Sequence, residues 1–446
     1  KGDYSVGWHV NSPDGKTTPH FYRAEQFRRY FRRRDVINSL LDTGDPAQAL
    51  AVLGKNPVAL HFDDMEPPAA ELTVGPAQPG KDVRATLSAY ARGDHVDEAP
   101  VDAEVWINDY RLPLAQSDMQ QWPKDAKGVR TLQLTIPRDK LRGGDNIVTF
   151  QTWNRLGGRS DAKALIPGDH AAPSSPRLIG LVVGVNDYGS PRPGKIEKKG
   201  VLYNLDFAAG DAQDLSSTLK EQKLYASDEV TPLLDKAATR QAILDALDAL
   251  AKKATPDDTC ILFLSGHGDF REEKSTIPNG APRSVLIFCP PGYDPARPYD
   301  TGISSELLDE KLAAVPCRKL LLLDACHSGA AAATTDSPAR GFAPNGQGPI
   351  IIAACDRKQA SLEHPKFSHG LFTRAILDAL DDKAHYPDHH GAQELFATDL
   401  FRDVRQEMPK LLGLIGEAGG AQVPILFAPN NEDILVARDE APKKTN

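Results

Sequence analysis

The chain has 446 residues, too many for one ordinary hydrophobic core, so two or three domains are expected. Apolar residues make up 40% and charged residues 25%, a soluble globular composition, and a net charge of −9 gives no electrostatic footing for nucleic acid. No run approaches the roughly 18 consecutive apolar residues of a membrane-spanning helix, and the opening KGDYSVGWHV holds no apolar secretory core.

Residues 1–60 are aromatic-rich and then helical in pattern. Phe27, Phe31, Val36, Leu40 and Leu41 fall at helix-like spacings, Gly44 and Pro46 punctuate the run, and a short helix over 47–53 follows. The sequence starts without an initiator Met, as a processed or truncated chain does. This segment is too small for a core of its own and reads as a docking element for a regulatory protein partner. Its basic cluster RRYFRRR (Arg28–Arg34) reads as a solvated or partner-facing helix surface rather than a nucleic-acid or membrane contact.

Residues 61–170 change to short strands. AELTV, VRATLSAYA, DAEVWINDY, VRTLQLTIP and NIVTFQTWN alternate or are rich in β-branched residues, with turn signals GPAQPGKD, RGDH, RGGDN and LGGRSD between them. That density predicts a small all-β immunoglobulin-like sandwich, here without the cysteine pair. Nothing in it reads as catalytic, so it is expected to be a spacer or docking module.

A Pro/Ser-rich bridge, PGDHAAPSSPR (Pro167–Arg177), leads into a domain spanning 175–435. Near-continuous apolar runs at 178–186, 260–268, 285–289, 319–326 and 349–355 predict strands buried on both faces. Helical patterns lie around 206–222, 238–253, 304–315, 368–382 and 397–413. Such alternation predicts an α/β fold: an open, mostly parallel sheet covered by helices on both sides.

Ligands and catalytic groups in such sheets gather at the carboxyl ends of the strands. Two runs end there in reactive residues. His267 closes ILFLSGHG between Gly266 and Gly268, and Cys326 closes LLLLDAC ahead of His327, Ser328 and Gly329. A free thiol is largely protonated near neutral pH, and the thiolate is the nucleophile. An imidazole in reach supplies the base for that thiol and the acid for a leaving amine. Backbone N–H groups around Gly268 and Cys326 are candidates for holding the oxyanion. Ser328 lacks a GxSxG setting, and His327 follows Cys326 directly, so neither is taken as nucleophile or base. The five cysteines (Cys260, Cys289, Cys317, Cys326, Cys355) are odd in number and form no CxxC pair. They favour neither a disulfide framework nor a zinc site, and fit a reducing, cytoplasmic location.

The blocks SGHG and DACHSG, each after an apolar strand, resemble those of the caspase/metacaspase superfamily of clan CD cysteine peptidases, bacterial caspase-like proteins among them. Also similar are LIGLVVGVNDY, NLDFAAGDAQDL, IIAACDRKQASLE and HGLFTRAIL, so the resemblance runs over roughly residues 177–430. It implies a caspase–haemoglobinase fold and a protein or peptide substrate. His267 is then the base and Cys326 the nucleophile. Asp324, two residues before Cys326, and Asp211, in AAGDA, match the acids that metacaspase-like members use in the S1 pocket. Two carboxylates there favour Arg or Lys at P1 over Asp. Asp211 also reads as a helix N-terminal acid, and Asp324 as a hydrogen-bonded strand-end acid. Some members bind calcium through paired acids. Asp294, Asp300 and Glu306 offer no such pairs, so no metal site or cofactor is assigned, with calcium kept as the one alternative. The segment 330–348 reads as a surface loop in which Arg340–Gly341 is a candidate self-cleavage bond. The alternative from another functional class is a non-catalytic signalling adaptor. Members of that kind usually lose the Cys or the His, and this chain keeps both.

Overall fold

The computed structural model describes residues 7–10, 20–23, 26, 48, 66–92, 99–115, 119–190, 201–222, 224–274, 283–327, 347–355, 359–389, 391–418, 421–428 and 433–439. Of these, 7–10, 20, 120, 283, 284, 326 and 327 are described by backbone alone. The helix expected over Phe27–Leu41, almost all of that over 47–53, the basic cluster and Arg340 lie outside the described residues. The chain divides into two compact units, Lys1–His170 with Glu273–Arg283, and Ala171–Glu272 with Ser284–Asn446.

The first unit opens with an antiparallel hairpin of β1 (Gly7–Val10) and β2 (His20–Arg23), where aromatic composition alone announced no strand. There follow β3 (Ala69–Val74), β4 (Val83–Tyr90), β5 (Pro100–Ile107), β6 (Tyr110–Leu112), β7 (Arg130–Ile136), β8 (Asp145–Asn154) and β9 (Arg159–Pro167). They form two antiparallel sheets, ordered β3-β4-β7 and β6-β5-β8-β9. Period-2 alternation turns Val83, Ala85, Leu87 and Ala89 of β4 inward, where they share one core with Val105, Ile107, Val148 and Phe150. LGGRSD was expected to be a turn, yet Arg159 to Asp161 begin β9, which pairs with β8 over nine positions. Its alternation of Ala with Asp and Lys has weak strand propensity, and pairing with β8 overrides it.

In the second unit the order is β10 (Arg177–Gly184), α1 (Ala208–Lys220), β11 (Ser227–Leu234), α2 (Arg240–Lys253), β12 (Thr259–Glu273), β13 (Arg283–Phe288), β14 (Ile303–Ser304), α3 (Ser305–Ala313), β15 (Arg318–His327) and β16 (Ile350–Ala353). A short hairpin of β17 (Glu363–His364) and β18 (His369–Gly370) precedes α4 (Leu371–Asp381). The chain continues through β19 (Asp388–His389), β20 (Ala392–Phe396), α5 (Ala397–Leu414), β21 (Ile425–Phe427) and β22 (Leu435–Arg438). The main sheet runs β11-β10-β12-β15-β16-β21, parallel except for β21, with β13 against β12 and β14 against β13.

Alternate residues of its central strands enter different cores. Leu178, Val182, Ile261, Phe263, Leu320, Leu322, Ile350 and Ile352 pack with α1, α4 and α5. Ile179, Leu181, Val183, Leu262, Leu264, Leu321, Leu323 and Ile351 pack with α2 and α3. Fully burying each such side chain stabilises by about 1.5–3 kcal/mol, which is why these strands carry no polar alternation. Hydroxyls of Thr239 and Ser304 cap α2 and α3, accepting the N–H groups of Ala242 and Leu307. The β10–β11 connection carries α1 on one face of the sheet and the β11–β12 connection carries α2 on the other, so the strand order reverses at β10. That opens a crevice at the carboxyl ends of β10 and β12.

Candidate active site

His267 lies in that crevice, on β12 past its apolar run, with only 9% of its surface exposed. Its Nε2 is 2.7 Å from the carbonyl oxygen of Tyr203, in the connection after β10. A carbonyl only accepts, so Nε2 carries the proton and Nδ1 is the nitrogen able to take another. Tyr203 is held by its neighbour: Asn204 accepts the N–H of Tyr188 at 2.8 Å and donates its own N–H to Ser190 O.

Tyr188 grips the backbone of His267. Its hydroxyl accepts the His267 N–H at 2.8 Å and donates to the Cys289 carbonyl at 3.0 Å, and its ring lies 4.6 Å from the imidazole. The His267 carbonyl in turn accepts the N–H of Cys289. Room for the Tyr188 hydroxyl depends on Gly266, at φ 155°, where a Cβ would come within 2.7 Å of that oxygen.

Cys326 is the ladder partner of His267 across β12 and β15, and Gly268 is the partner of His327. Neighbouring strands lie about 4.8 Å apart, so the two backbone positions are adjacent. The other four cysteines are buried and stand in no disulfide. Burial drives the Cys289 and Cys317 thiols well above their ordinary range, away from nucleophilic use.

Asp211 and Asp324, 113 positions apart in sequence, meet at the start of α4. Asp211, 1% exposed in the first turn of α1, accepts Nδ1–H of His369 at 2.6 Å and the Gly370 N–H at 3.0 Å. Asp324, 5% exposed on β15, accepts the hydroxyls of Ser361 at 2.5 Å and Thr373 at 2.6 Å. A Cβ on Gly370 would sit 3.0 Å from Oδ2 of each acid, so these two oxygens are no more than about 6 Å apart. Gly370 is the N-cap of α4 and has no side chain to cap with. The two acids supply the cap from elsewhere in the chain, at the helix end that favours negative charge. Burial, with the charge of Asp324 adding to it, pushes Asp211 up to about 7 against the opposing bond from His369. Burial also raises Asp324, against its two hydroxyl donors.

Among the remaining sequence candidates, Ser328 and Arg340 lie outside the described residues, and His327 is described by backbone alone. Asp294 accepts the N–H of Ala296 and Nε of Arg297, which hold it below the usual carboxylate range. Tyr188, Tyr203, Ser361, His369 and Thr373 were not singled out in the sequence. Four of them stand inside blocks similar to the superfamily (VNDY, ASLE and HGLFT), which is the signal that locates them. Tyr203 contributes only a backbone carbonyl, which no side-chain pattern marks.

At the carboxyl edge of this doubly wound sheet, ladder register sets the imidazole-bearing residue directly opposite a cysteine, the two residue types that thiol-based acyl transfer uses. The caspase-domain (peptidase C14) family model matches residues 177–435, more than half of the sequence, and the chain belongs to that family of cysteine endopeptidases. It is similar to metacaspase-1 of Scheffersomyces stipitis, 29% identical over 171 residues, covering 35% of this chain and 37% of the relative. Metacaspase-1B of Aspergillus fumigatus is 26% identical over 169 residues, covering 35% and 36%. The chain therefore spans little more than a third of the length of these curated relatives. A crystal structure of caspase-1 from Spodoptera frugiperda aligns with a TM-score of 0.34 at 12% identity, covering 61% of this chain and 94% of that one.

Proposed function

We propose that this chain cleaves proteins or peptides after Arg or Lys, with Cys326 as nucleophile and His267 as its base. Nδ1 of His267 takes the thiol proton, and the thiolate attacks the scissile carbonyl to form a C–S bond. The imidazolium then gives its proton to the leaving amine as the C–N bond breaks. Water, deprotonated at the same nitrogen, hydrolyses the thioester and restores the thiol. Backbone N–H groups at Gly268 and Cys326 are assigned to the oxyanion. No cofactor takes part in this scheme. What supports it above all is the ladder pairing of His267 with Cys326, together with the Tyr203 carbonyl that fixes the tautomer of the base.

Specificity for Arg or Lys rests on the convergence of Asp211 and Asp324 at Gly370, which supplies a charge partner for a P1 cation. The seven strands in two sheets ahead of the peptidase are read as an immunoglobulin-like docking module that binds a regulatory protein, making the whole a regulated effector protease in a reducing cytoplasm. No helix among the described residues is long and apolar enough to cross a membrane.

The test is hydrolysis of fluorogenic peptides ending in Arg, Lys, Asp or Leu by wild type and Cys326→Ala, with and without a calcium chelator. Cleavage after Arg or Lys that disappears in the variant and survives the chelator is the expected result. Cleavage after Asp overturns the pocket. Activity that persists in Cys326→Ala overturns the mechanism.

A further inference from the structure

His369 belongs neither to the catalytic pair nor to the pair of acids, yet it makes the shortest contact either acid receives from a nitrogen. Its Nδ1 donates to Oδ1 of Asp211 at 2.6 Å while its Nε2 lies 3.7 Å from Asp214. The imidazole thus bridges a carboxylate that is 2% exposed in its side chain and one that is 57% exposed. The short β17–β18 hairpin that carries it is tied to the start of α1 a second time. There the carboxylate of Glu363 accepts the N–H groups of Asp206 and Phe207.

We propose that His369 is a positioning residue for specificity, holding Asp211 ionised and oriented for the P1 cation of a substrate. The inference rests on the acidic-pocket reading above and deepens it. Two carboxylates this close, both buried, cannot both keep their charge without compensation. Asp324 is compensated by hydroxyls on both oxygens. Asp211 has one bond to each oxygen, from His369 on Oδ1 and Gly370 on Oδ2. Each carboxylate oxygen has room for two donors, so Asp211 retains one acceptor position on each for a forked guanidinium. That capacity exists only while Asp211 is ionised, and His369 is the one cationic side chain bonded to it among the described residues. The charged groups facing His369 are Asp211 and Asp214 from α1 and Arg374 from α4, with Asp324 from β15 behind Asp211. The bond to Asp211 raises the imidazole above its ordinary value, which favours its cationic form beside that carboxylate.

The experiment measures binding of an arginine-ended and a leucine-ended peptide to full-length Cys326→Ala protein as a function of pH. It is repeated with His369→Ala, His369→Gln or Asp211→Asn added. His369→Ala is expected to weaken the arginine peptide about tenfold at neutral pH and to leave the leucine peptide unchanged. The acid limb of binding should move up by about one pH unit, because an unsupported Asp211 takes its proton more readily. His369→Gln restores the donor without the charge, so it should recover part of the affinity while its acid limb stays shifted. It also keeps the test decisive if the alanine variant does not fold. Arginine affinity and acid limb unchanged in the histidine variants, but lost in Asp211→Asn, would overturn this role alone. An Asp211→Asn protein that still prefers the arginine peptide would overturn the pocket itself.

Discussion

The carbonyl oxygen of Tyr203 lies 2.7 Å from Nε2 of His267, and this one contact decides which ring nitrogen can accept a proton. With the proton of neutral imidazole committed to Nε2, Nδ1 is the nitrogen that the proposed mechanism uses to exchange protons with a thiol and a leaving amine. His267→Ala should lower kcat by at least about 10²–10⁴-fold, as removal of a general base does, with folding retained by circular dichroism. Turnover at the wild-type rate would remove His267 from the mechanism.

Tyr188→Phe isolates the hydroxyl from the ring. The ring contact with His267 survives, but the N–H of His267 and the carbonyl of Cys289 each lose a partner. A buried polar group left without a partner costs about 1–3 kcal/mol, so the melting temperature should fall, and kcat with it, while KM stays near wild type. Unchanged melting and turnover would show the hydroxyl to be dispensable.

Asp211 titrates near 7, so hydrolysis after Arg should depend on pH there. Below that value the carboxyl is protonated and offers no charge to a guanidinium. Therefore kcat/KM for arginine peptides should fall as pH drops through about 7, chiefly through KM, and Asp211→Asn should abolish this limb. Stability has the opposite slope. Between the ordinary 3.8 and about 7 the folded chain keeps a proton that the unfolded chain releases, so this group's contribution declines as pH rises. Denaturant titrations of wild type and Asp211→Asn across that interval measure the difference.

Gly370→Ala would place a Cβ 3.0 Å from one oxygen of each acid, closer than such contacts normally allow. The acids must move apart or the start of α4 must shift. KM for arginine peptides should rise several-fold with kcat little altered, since His267 and Cys326 are untouched. Equal KM values for variant and wild type would mean that the spacing of the two acids does not set P1 recognition.

Arg340 tests self-processing. If the protease cuts after Arg, the Arg340–Gly341 bond is a substrate in its own chain, and purified wild type should resolve on a denaturing gel into two fragments that Cys326→Ala lacks. Arg340→Ala should remove those bands. Bands and activity unchanged in Arg340→Ala would end the idea.

The central strands and the five long helices were legible in the sequence because their signal is local. An apolar run such as CILFLSG has one stable environment, a sheet covered on both faces, and the structure fills both cores from alternate residues of each run. That His267 and Cys326 each end such a run was legible for the same reason, and ladder register makes their backbones neighbours. Strand β11, with Pro232 and three exposed acidic or polar positions at its start, was not legible, because it is recruited as the edge partner of β10. Nor was β9, recruited by β8. The surroundings of the two acids are further still from local pattern. His369 reaches Asp211 across 158 residues and Thr373 reaches Asp324 across 49, side-chain contacts that no local pattern announces. Sequence by itself set which segments are buried and which residues can do chemistry. Only tertiary packing decided which donors hold each carboxylate, because a buried carboxylate needs hydrogen-bond donors and these come from segments far from it in the sequence.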